Sequence, residues 1–369
     1  MSKFSARLRI FPRALLRLLK KPWRRPPSTV TRILIAHNLL LGDTVMLTPL
    51  LAKLRRHYPQ AEIVLLCKPA FVEVYRLNPY GVVPMPYQPA SAASVAAIVN
   101  SGPYDLALIP GDNRYSWLAL AAGSRWIIAH RPALHNAKSW PVNEYRDYPD
   151  EPMAWGDAVA TLTDGELPPP QHWAAPAYDF PPPASPFVVL HVGASNPVRF
   201  WSPEQWLALA DWLATQGYTP VWSGGGNERH IVDSIDPTRR YRSFAGELSL
   251  SQLLALLAGA KALICADTGV AHLAKWVDTP TMTLYGPGNP VAFGPGNFWR
   301  NNPIINVGFH PISCRDQHTL FGRELPWLER CNRNEARCQQ FRNGQSACMQ
   351  HITLSEIQTA FIHLLRKIQ

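Results

Sequence analysis

The chain has 369 residues, 47% of them hydrophobic and 17% charged, and it carries a formal charge of +10. This length and composition are typical of a globular protein with two domains, and the 36 prolines follow no period, which excludes a fibrous protein. No apolar run reaches the roughly 18 residues that a membrane-spanning helix needs, and no signal-peptide pattern is present, so we expect a cytoplasmic protein.

The excess of positive charge lies at the N-terminus. Residues 1–32 contain ten Lys or Arg and no Asp or Glu, and the rest of the chain has equal numbers of acidic and basic residues. Apolar residues recur there at helical spacing, namely Phe4, Leu8, Phe11, Leu15, Leu18 and Leu19. A helix with one apolar and one cationic face is typical of segments that lie on anionic membranes. We therefore predict that residues 1–31 form a basic amphipathic leader, which binds an anionic membrane surface through residues 1–28; a solvated arm is the alternative.

Residues 32–165 alternate between predicted strands and helices. Apolar strands are predicted at 32–37, 62–67 and 106–110, and an amphipathic helix at 44–58. Such alternation implies right-handed crossovers and a parallel sheet. We assign these residues to a Rossmann-like N-terminal domain.

Eight prolines in residues 166–186 indicate a linker, because such a composition continues neither a helix nor a central strand. A second alternation follows, with predicted strands at 187–192, 219–223, 262–266 and 281–285. It predicts a second Rossmann-like domain over 187–350. The last helix, within 351–369, could pack back on the N-terminal domain.

Ligands of open parallel sheets bind at the carboxyl ends of the strands, so residues at those junctions are candidates for function. Gly42 and Asp43 lie after the first strand, at the start of a helix. Asp43 has two interpretations: an N-cap, which is a common role for Asp at this position, or a general base that takes a proton from a substrate.

The stretch "ALICADTGVAHLAKWV", residues 262–277, gathers a carboxylate, a hydroxyl, a glycine and an imidazole at one strand-to-helix junction. The amides of Thr268 and Gly269 begin the helix and suit a phosphate. Asp267 would repel that phosphate, so we expect it to accept hydrogen bonds from sugar hydroxyls. His272 could donate to a phosphate or a sugar oxygen, or could simply be a packed histidine.

Two further junctions carry polar residues. "HVGASNPVRFWSPEQW" offers Ser195 and Arg199, and Arg199 could neutralise a diphosphate. "SGGGNE" places Glu228 near the start of a helix, where it could bind ribose hydroxyls or interact with the helix dipole.

Several chemistries are disfavoured by missing motifs. No D-x-D pair, G-x-x-x-x-G-K-[ST] or G-x-S-x-G is present, which argues against a metal held by an Asp pair, a P-loop ATPase and an α/β-hydrolase. The six cysteines contain no C-x-x-C, so no metal site is predicted. Cys314, Cys331, Cys338 and Cys348 have no assigned role.

Taken together, these motifs resemble glycosyltransferase family 9, the lipopolysaccharide heptosyltransferases. The resemblance rests on "RILIAHNLLLGDTVMLTPLLAKLRRHYPQAEIVLL", "HVGAS", "RFWSPEQW", "GGGNE" and "GELSLSQLLALLAGAKALICADTGVAHLAKWVDTPTMTLYGPGNP" in that order, over most of residues 32–300. It implies a GT-B fold, an α/β architecture in which two Rossmann-like domains face each other across a cleft. The acceptor would bind to the N-terminal domain and ADP-heptose to the C-terminal one.

The resemblance also implies roles for single residues. Asp43 matches the family's catalytic base, and transfer would invert the anomeric centre without a metal or other cofactor. Arg199 stands where the family has Lys, and Glu228 matches its ribose-binding Glu. The remaining donor contacts would come from Ser195, Asp267, Thr268, Gly269 and His272.

The acceptor side departs from the family, because "HNLL" replaces an Arg-Ser pattern before "LGD". Asn38, Arg131 and Lys138 are candidate contacts to an acceptor, which we expect to be a lipid-linked oligosaccharide. Two alternatives stay open: a GT-B transferase or epimerase that uses another nucleotide sugar, and a catalytically inactive binding subunit at the membrane. Nucleic acid is not expected as a partner, because the folded part has no basic surplus.

Overall fold

A computed structural model describes residues 3–19, 25–134 and 136–367, and only the backbone of residues 3–9. The chain forms two compact units. Unit 1 comprises the residues up to Glu151, Trp155–Pro170 and Thr319–Pro326. Unit 2 comprises Pro152–Ala154, Gln171–His318 and the residues from Trp327 onward.

Unit 1 is built on a six-stranded sheet whose strands all pair in parallel. Its strands are β1 (Arg32–Ile35), β2 (Glu62–Cys67), β3 (Val82–Pro86), β4 (Tyr104–Ile109), β5 (Ser124–His130) and β6 (Glu144–Arg146). Its helices are α1 (Lys3–Leu18), α2 (Leu41–Val45), α3 (Thr48–His57), α4 (Val72–Tyr75), α5 (Ala92–Ser101), α6 (Ser116–Ala121) and α7 (Trp155–Ala160). The strand order is β3-β2-β1-β4-β5-β6, so the sheet is doubly wound about β1, as in a Rossmann-like domain.

The predicted strands of unit 1 are present, and the predicted helix is divided. β2 has the predicted bounds, because its apolar run is continuous and five of its six residues are buried. The helix predicted at 44–58 is two helices, α2 and α3. Pro49 lies in the first turn of α3, where proline is favoured because it lacks the N–H that would continue a preceding helix.

Helix α1 packs on α5 and α6 and so belongs to unit 1, rather than forming a separate leader. Ala14 is fully buried in the core beneath it, and Ile10 and Leu18 pack against the same core. The Phe11 ring lies 5.4 Å from the Trp117 ring, and Arg17 Nη1 donates to the Leu120 carbonyl at 3.3 Å.

The opposite face of α1 is exposed. Leu16 and Leu19 are 69% and 68% exposed, and Phe11 and Leu15 are also exposed. Of the cations in the predicted leader, Lys20, Lys21 and Arg24 lie outside the described residues. No helix in the described part of the chain is both long enough and apolar enough to cross a membrane.

Unit 2 is a second six-stranded parallel sheet, in the order β12-β11-β10-β7-β8-β9. Its strands are β7 (Phe187–His191), β8 (Thr219–Ser223), β9 (Arg242–Ser243), β10 (Ala262–Ala266), β11 (Thr281–Tyr285) and β12 (Ile304–Gly308). Its helices are α8 (Pro203–Thr215), α9 (Arg229–Ile235), α10 (Leu250–Gly259), α11 (Gly269–Trp276), α12 (Ala347–Gln350) and α13 (Leu354–Arg366). The strands β7, β10 and β11 are buried along their whole length, as expected when helices cover both faces of a parallel sheet.

Besides α1 and the short segment Pro152–Ala154, which belongs to unit 2, the predicted domain boundaries differ from the units in three places. The proline-rich segment is not a free linker, because residues 171–186 belong to unit 2 and the Trp173 ring stacks on Trp276 at 3.8 Å. Helix α13 packs on β11, β12 and α8 through buried Phe361 and Leu364. These contacts assign it to unit 2, whereas the sequence had left open its packing on the N-terminal domain.

The third difference is an insertion. Residues 319–326 were predicted to lie in the second domain and belong to unit 1. They form an antiparallel hairpin of β13 (Thr319–Leu320) and β14 (Arg323–Glu324). A second small hairpin, of β15 (Phe341–Arg342) and β16 (Gln345–Ser346), stays in unit 2.

The packing of α1 predicts that substitutions on its buried face destabilise the protein more than substitutions on its exposed face. Ala14→Glu would bury a charge without a partner and is expected to lower the free energy of unfolding by about 2 to 4 kcal/mol. Leu16→Glu, on the exposed face of the same helix, should change it by no more than about 0.5 kcal/mol. Urea titration of both variants tests this, and equal stability of the two would show that α1 is not docked.

Candidate functional site

In unit 1 the candidate base follows the end of β1. Asp43 is in the first turn of α2 and partly buried. The N-cap residue of this helix is Leu40, which makes no side-chain cap bond, so the N-cap interpretation of Asp43 is wrong. A carboxylate in the first turn is still favoured by the helix dipole.

His37 precedes this turn and is buried. Its Nδ1 accepts a hydrogen bond from the Leu39 amide at 3.2 Å, and its Nε2 has no hydrogen-bond partner among the described residues. Burial lowers the pKa of His37 to about 3, so the ring is neutral at pH 7. Sequence reasoning did not single out this residue.

A cavity of about 570 Å³ lies next to these residues, at the carboxyl ends of β1, β4 and β5. Asn38 and Lys138, two of the predicted acceptor contacts, line it. The third, Arg131, is not among its lining residues and instead pairs with Asp147 at 2.8 Å. A neighbouring cavity of about 650 Å³ also includes Asn38, so Asn38 lies where the two cavities meet.

The sequence analysis missed two cations of the first cavity, Arg114 and Arg323. Arg114 follows β4 directly and could have been found by the same rule that found Asp43. Arg323 comes from the β13–β14 hairpin, and no local sequence signal places this segment in unit 1.

In unit 2 the candidate donor site is centred on the β10–α11 junction. Thr268 is the N-cap residue of α11 in an extended conformation, and no side-chain cap bond occupies it. The first amides of the helix are therefore the groups that could bind an anion. Gly269 begins the helix, so no side chain at that position hinders the approach of a ligand.

Arg199 reaches this junction from the turn after β7. Its Nη1 donates to the Asp267 carbonyl at 2.8 Å and lies 3.6 Å from Asp267 Oδ2. Asp267 is only 5% exposed, and Oδ2 accepts no hydrogen bond from the described residues. The guanidinium thus fixes the backbone at the end of β10, and the carboxylate keeps an acceptor for a hydroxyl.

Close packing restricts the space around Asp267. A Cβ at Gly288 would lie 2.1 Å from Asp267 Oδ2, a distance that no real Cβ contact shows. Gly288 lies in the loop "YGPGNP", which begins at the end of β11. Position 288 therefore requires glycine, because any side chain there would displace the carboxylate of Asp267.

The imidazole of His272 is held in one tautomer. Lys275 Nζ donates to His272 Nδ1 at 3.1 Å and to the Gly294 carbonyl at 2.9 Å. Burial, and then the charges of Lys275 and Arg199, lower the pKa of His272 well below its usual value. The ring is therefore neutral and carries its hydrogen on Nε2, which makes Nε2 a donor.

Lys275 is a site residue that the sequence analysis missed, although it stands three residues after His272 and so on the same helix face. It is only 5% exposed. Its ammonium adds positive charge behind the candidate phosphate site.

Glu228 and Ser195 complete the set of predicted donor contacts. Glu228 Oε2 accepts from the Gly225 amide at 2.6 Å. A Cβ at Gly193 would lie 1.8 Å from the same oxygen, so the carboxylate lies over the end of β7. Ser195 is exposed in the following loop.

The four cysteines of the C-terminal segment are all free thiols. Burial, with smaller effects of Cys331 and Cys338, raises the pKa of Cys314. Within the described ranges, no group of three or more His, Cys, Asp or Glu side chains is placed to hold a metal ion.

Comparison with known proteins relates this arrangement to one family. The model of glycosyltransferase family 9 (heptosyltransferase) matches residues 158–321. Lipopolysaccharide heptosyltransferase 1 of Pseudomonas aeruginosa is 32% identical over 110 residues, which are 29% of this chain and 31% of that protein. The first two curated relatives are matched over only 31% and 35% of their own lengths.

Solved structures are similar over nearly the whole fold. The glycosyltransferase family 9 protein from Veillonella parvula has a TM-score of 0.71 and 18% identity, and the match covers 93% of this chain and 99% of that one. E. coli heptosyltransferase WaaC with ADP-2-deoxy-2-fluoro heptose has a TM-score of 0.65 and 16% identity, with 90% and 99% covered. The predicted fold class, α/β with the two Rossmann-like domains of a GT-B protein, is confirmed.

Proposed function

The chain belongs to glycosyltransferase family 9, the heptosyltransferases, and on that premise we propose that it transfers a heptose from ADP-heptose to a sugar of the lipopolysaccharide core. The observation that carries the proposal is the β10–α11 junction. The N-terminus of α11, the guanidinium of Arg199 and the carboxylate of Asp267 meet there, with Arg199 Nη1 2.8 Å from the Asp267 carbonyl oxygen.

Each part of a nucleotide sugar has a counterpart in unit 2. The first amides of α11 and the guanidinium of Arg199 could bind the diphosphate. Arg199 Nη1 lies 3.6 Å from Asp267 Oδ2, so the two side chains do not form a tight ion pair. A sugar hydroxyl suits Asp267 Oδ2, and the ribose suits Glu228. The similar E. coli heptosyltransferase was solved with an ADP-heptose analogue, which favours adenosine and heptose over other donors.

The proposed chemistry is a single displacement that inverts the anomeric carbon. The acceptor hydroxyl attacks this carbon as Asp43 takes its proton, and ADP leaves as the bond to the diphosphate oxygen breaks. The charge that develops on ADP is stabilised by the amides of Thr268 and Gly269 and by Arg199. These groups supply positive potential, so the proposal assigns no metal a step.

Location at an anionic membrane surface is part of the proposal. The exposed face of α1 presents Leu15, Leu16 and Leu19 to solvent, and the surrounding segment, residues 1–32, is cationic and lacks acidic residues. Exposed leucines next to lysine and arginine favour insertion among anionic headgroups. Such binding would bring the enzyme to a lipid-linked acceptor on the inner face of the bacterial inner membrane.

The donor site is tested by two glycine variants. Gly288→Ala is expected to displace Asp267 and weaken binding of ADP-heptose at least about 10-fold, or about 1.4 kcal/mol. Gly226→Ala is the control, because a Cβ there meets nothing within 4 Å. Calorimetric titration with ADP, ADP-heptose and the uridine and guanosine diphosphates measures both variants. Selective binding of a uridine or guanosine nucleotide would reject the heptose donor.

The base is tested by Asp43→Asn, which keeps the size of the side chain and removes its basicity. The value of kcat should fall about 100- to 10,000-fold, while the dissociation constant of ADP should stay within about twofold of the wild type. Transfer is followed by the release of ADP. Wild-type kcat in this variant would contradict the role of Asp43.

The membrane surface is tested on the exposed face of α1. The double variant Leu16→Glu/Leu19→Glu should lose most of its co-sedimentation with vesicles of one part phosphatidylglycerol to three parts phosphatidylcholine, because it replaces apolar area by negative charge. Leu77→Glu, at another exposed leucine of unit 1, is the control and should bind like the wild type. Undiminished binding of the double variant would exclude this face as the contact.

A further inference from the structure

The cavity of about 570 Å³ in unit 1 has an uneven balance of charge. Three cations line it, Arg114, Lys138 and Arg323, together with one carboxylate, Asp112. Asp112 accepts a hydrogen bond from Arg114 Nε at 2.7 Å and lies 4.0 Å from Lys138 Nζ. Asp112 is therefore occupied by the two cations that stand on its own side of the cavity.

Arg323 is the cation of this cavity that forms no ion pair with Asp112. It is only 6% exposed, and its Nε donates to no atom of the described residues. Its two hydrogen bonds, from Nη1 to the Phe321 carbonyl and from Nη2 to the His130 carbonyl, are both long at 3.4 Å. No Asp or Glu in the described part of the chain lies within ion-pair distance of it.

The aromatic surroundings of Arg323 do not compensate for its charge. The guanidinium lies 5.3 Å from the centroid of the Tyr148 ring, which is a weak interaction beside an ion pair. Burial lowers the pKa of Arg323, but a guanidinium stays protonated at any pH at which proteins are folded. A buried positive charge with free N–H groups thus borders an open cavity.

The hairpin that carries Arg323 is firmly placed. Its two turn residues, Phe321 and Gly322, have φ values of +48° and +77°, and for Phe this left-handed conformation is strained. The Phe321 ring packs 4.6 Å from the Trp155 ring, and Leu320 and Leu325 are buried. Packing in unit 1 therefore maintains a strained turn, which fixes Arg323 at the wall of the cavity.

We propose that this cavity binds an oxyanion of the acceptor, a phosphate or a sugar carboxylate, and that Arg323 is the residue that recognises it. The planar guanidinium with a free Nε suits two parallel hydrogen bonds to such a group. The inference rests on the proposed function in one respect, namely that the molecule bound in unit 1 is the glycosyl acceptor. Arg323 lies outside the residues matched by the family model, 158–321.

Binding is measured with inorganic phosphate and with acetate as probes, by calorimetry on the full chain. Saturating ADP is present so that the donor site is occupied, and an Arg199→Gln background serves as a second block of that site. Arg323→Gln should weaken binding of one probe about 10- to 100-fold. Preference for phosphate identifies a phosphorylated acceptor, and preference for acetate identifies a carboxylate.

Arg342→Gln is the matched control, because Arg342 is an exposed arginine of the other small hairpin. Arg323→Lys keeps the charge but loses the fork of donors, and should bind the probes with intermediate affinity. If thermal unfolding shows that Arg323→Gln does not fold, Arg323→Lys provides the test in its place. Probe binding that is equal in Arg323→Gln, Arg323→Lys and Arg342→Gln overturns the proposal.

Kinetics separate this proposal from the proposed function. In an active enzyme, Arg323→Gln should raise the KM for the acceptor about 10- to 100-fold and leave the KM for the donor and kcat within about threefold. If the chain transfers no heptose, yet its probe binding depends on Arg323, the anion site stands and the proposed function fails. If transfer occurs and KM for the acceptor does not respond to Arg323, the anion site fails alone.

Discussion

The burial of both faces of two parallel sheets is the constraint on which the rest of this structure depends. Strands such as β7, β10 and β11 are buried throughout, so polar side chains can reach a ligand only where the strands end. Every candidate residue supported by the geometry lies at such an end or on a segment packed against it. The same constraint explains α1, which covers apolar surface of α5 and α6 that would otherwise face water.

In unit 2, close packing positions two charged groups of the candidate donor site while leaving them almost inaccessible to solvent. Asp267 and Lys275 are both 5% exposed, and backbone carbonyls take part in positioning each of them. Lys275 bonds the Gly294 carbonyl and His272, while Arg199 bonds the Asp267 carbonyl. Asp267 Oδ2 and Arg199 Nη1, 3.6 Å apart, thus place an acceptor and a cation side by side, which suits the proposed ligand with its hydroxyls and diphosphate.

Local signals in the sequence predicted the strands on which the candidate site is built, although the helix predicted at 44–58 is divided in two. A continuous apolar run gave β2 and β10 their bounds, and the motif around Asp267 and His272 was recognised from residue types at one junction. Long-range packing was not accessible in this way. The β13–β14 hairpin has no periodic pattern, and its place in unit 1 depends on Phe321 meeting Trp155. Lys275 was missed for a different reason, because the sequence analysis considered His272 without the residue three positions later on the same helix face.

The two units also differ in how much of each is matched by the family model. The candidate donor residues of unit 2, from Ser195 to His272, lie within the residues that the family model matches, 158–321. Most of unit 1 lies outside that match, and its β13–β14 hairpin, at the end of the match, is held in a strained turn by aromatic packing. Strain of this kind persists only where surrounding contacts impose it, and a rigid scaffold with variable insertions is how one fold serves different substrates. Arg323, whose Nε has no hydrogen-bond partner among the described residues, is therefore the side chain that we propose selects the acceptor.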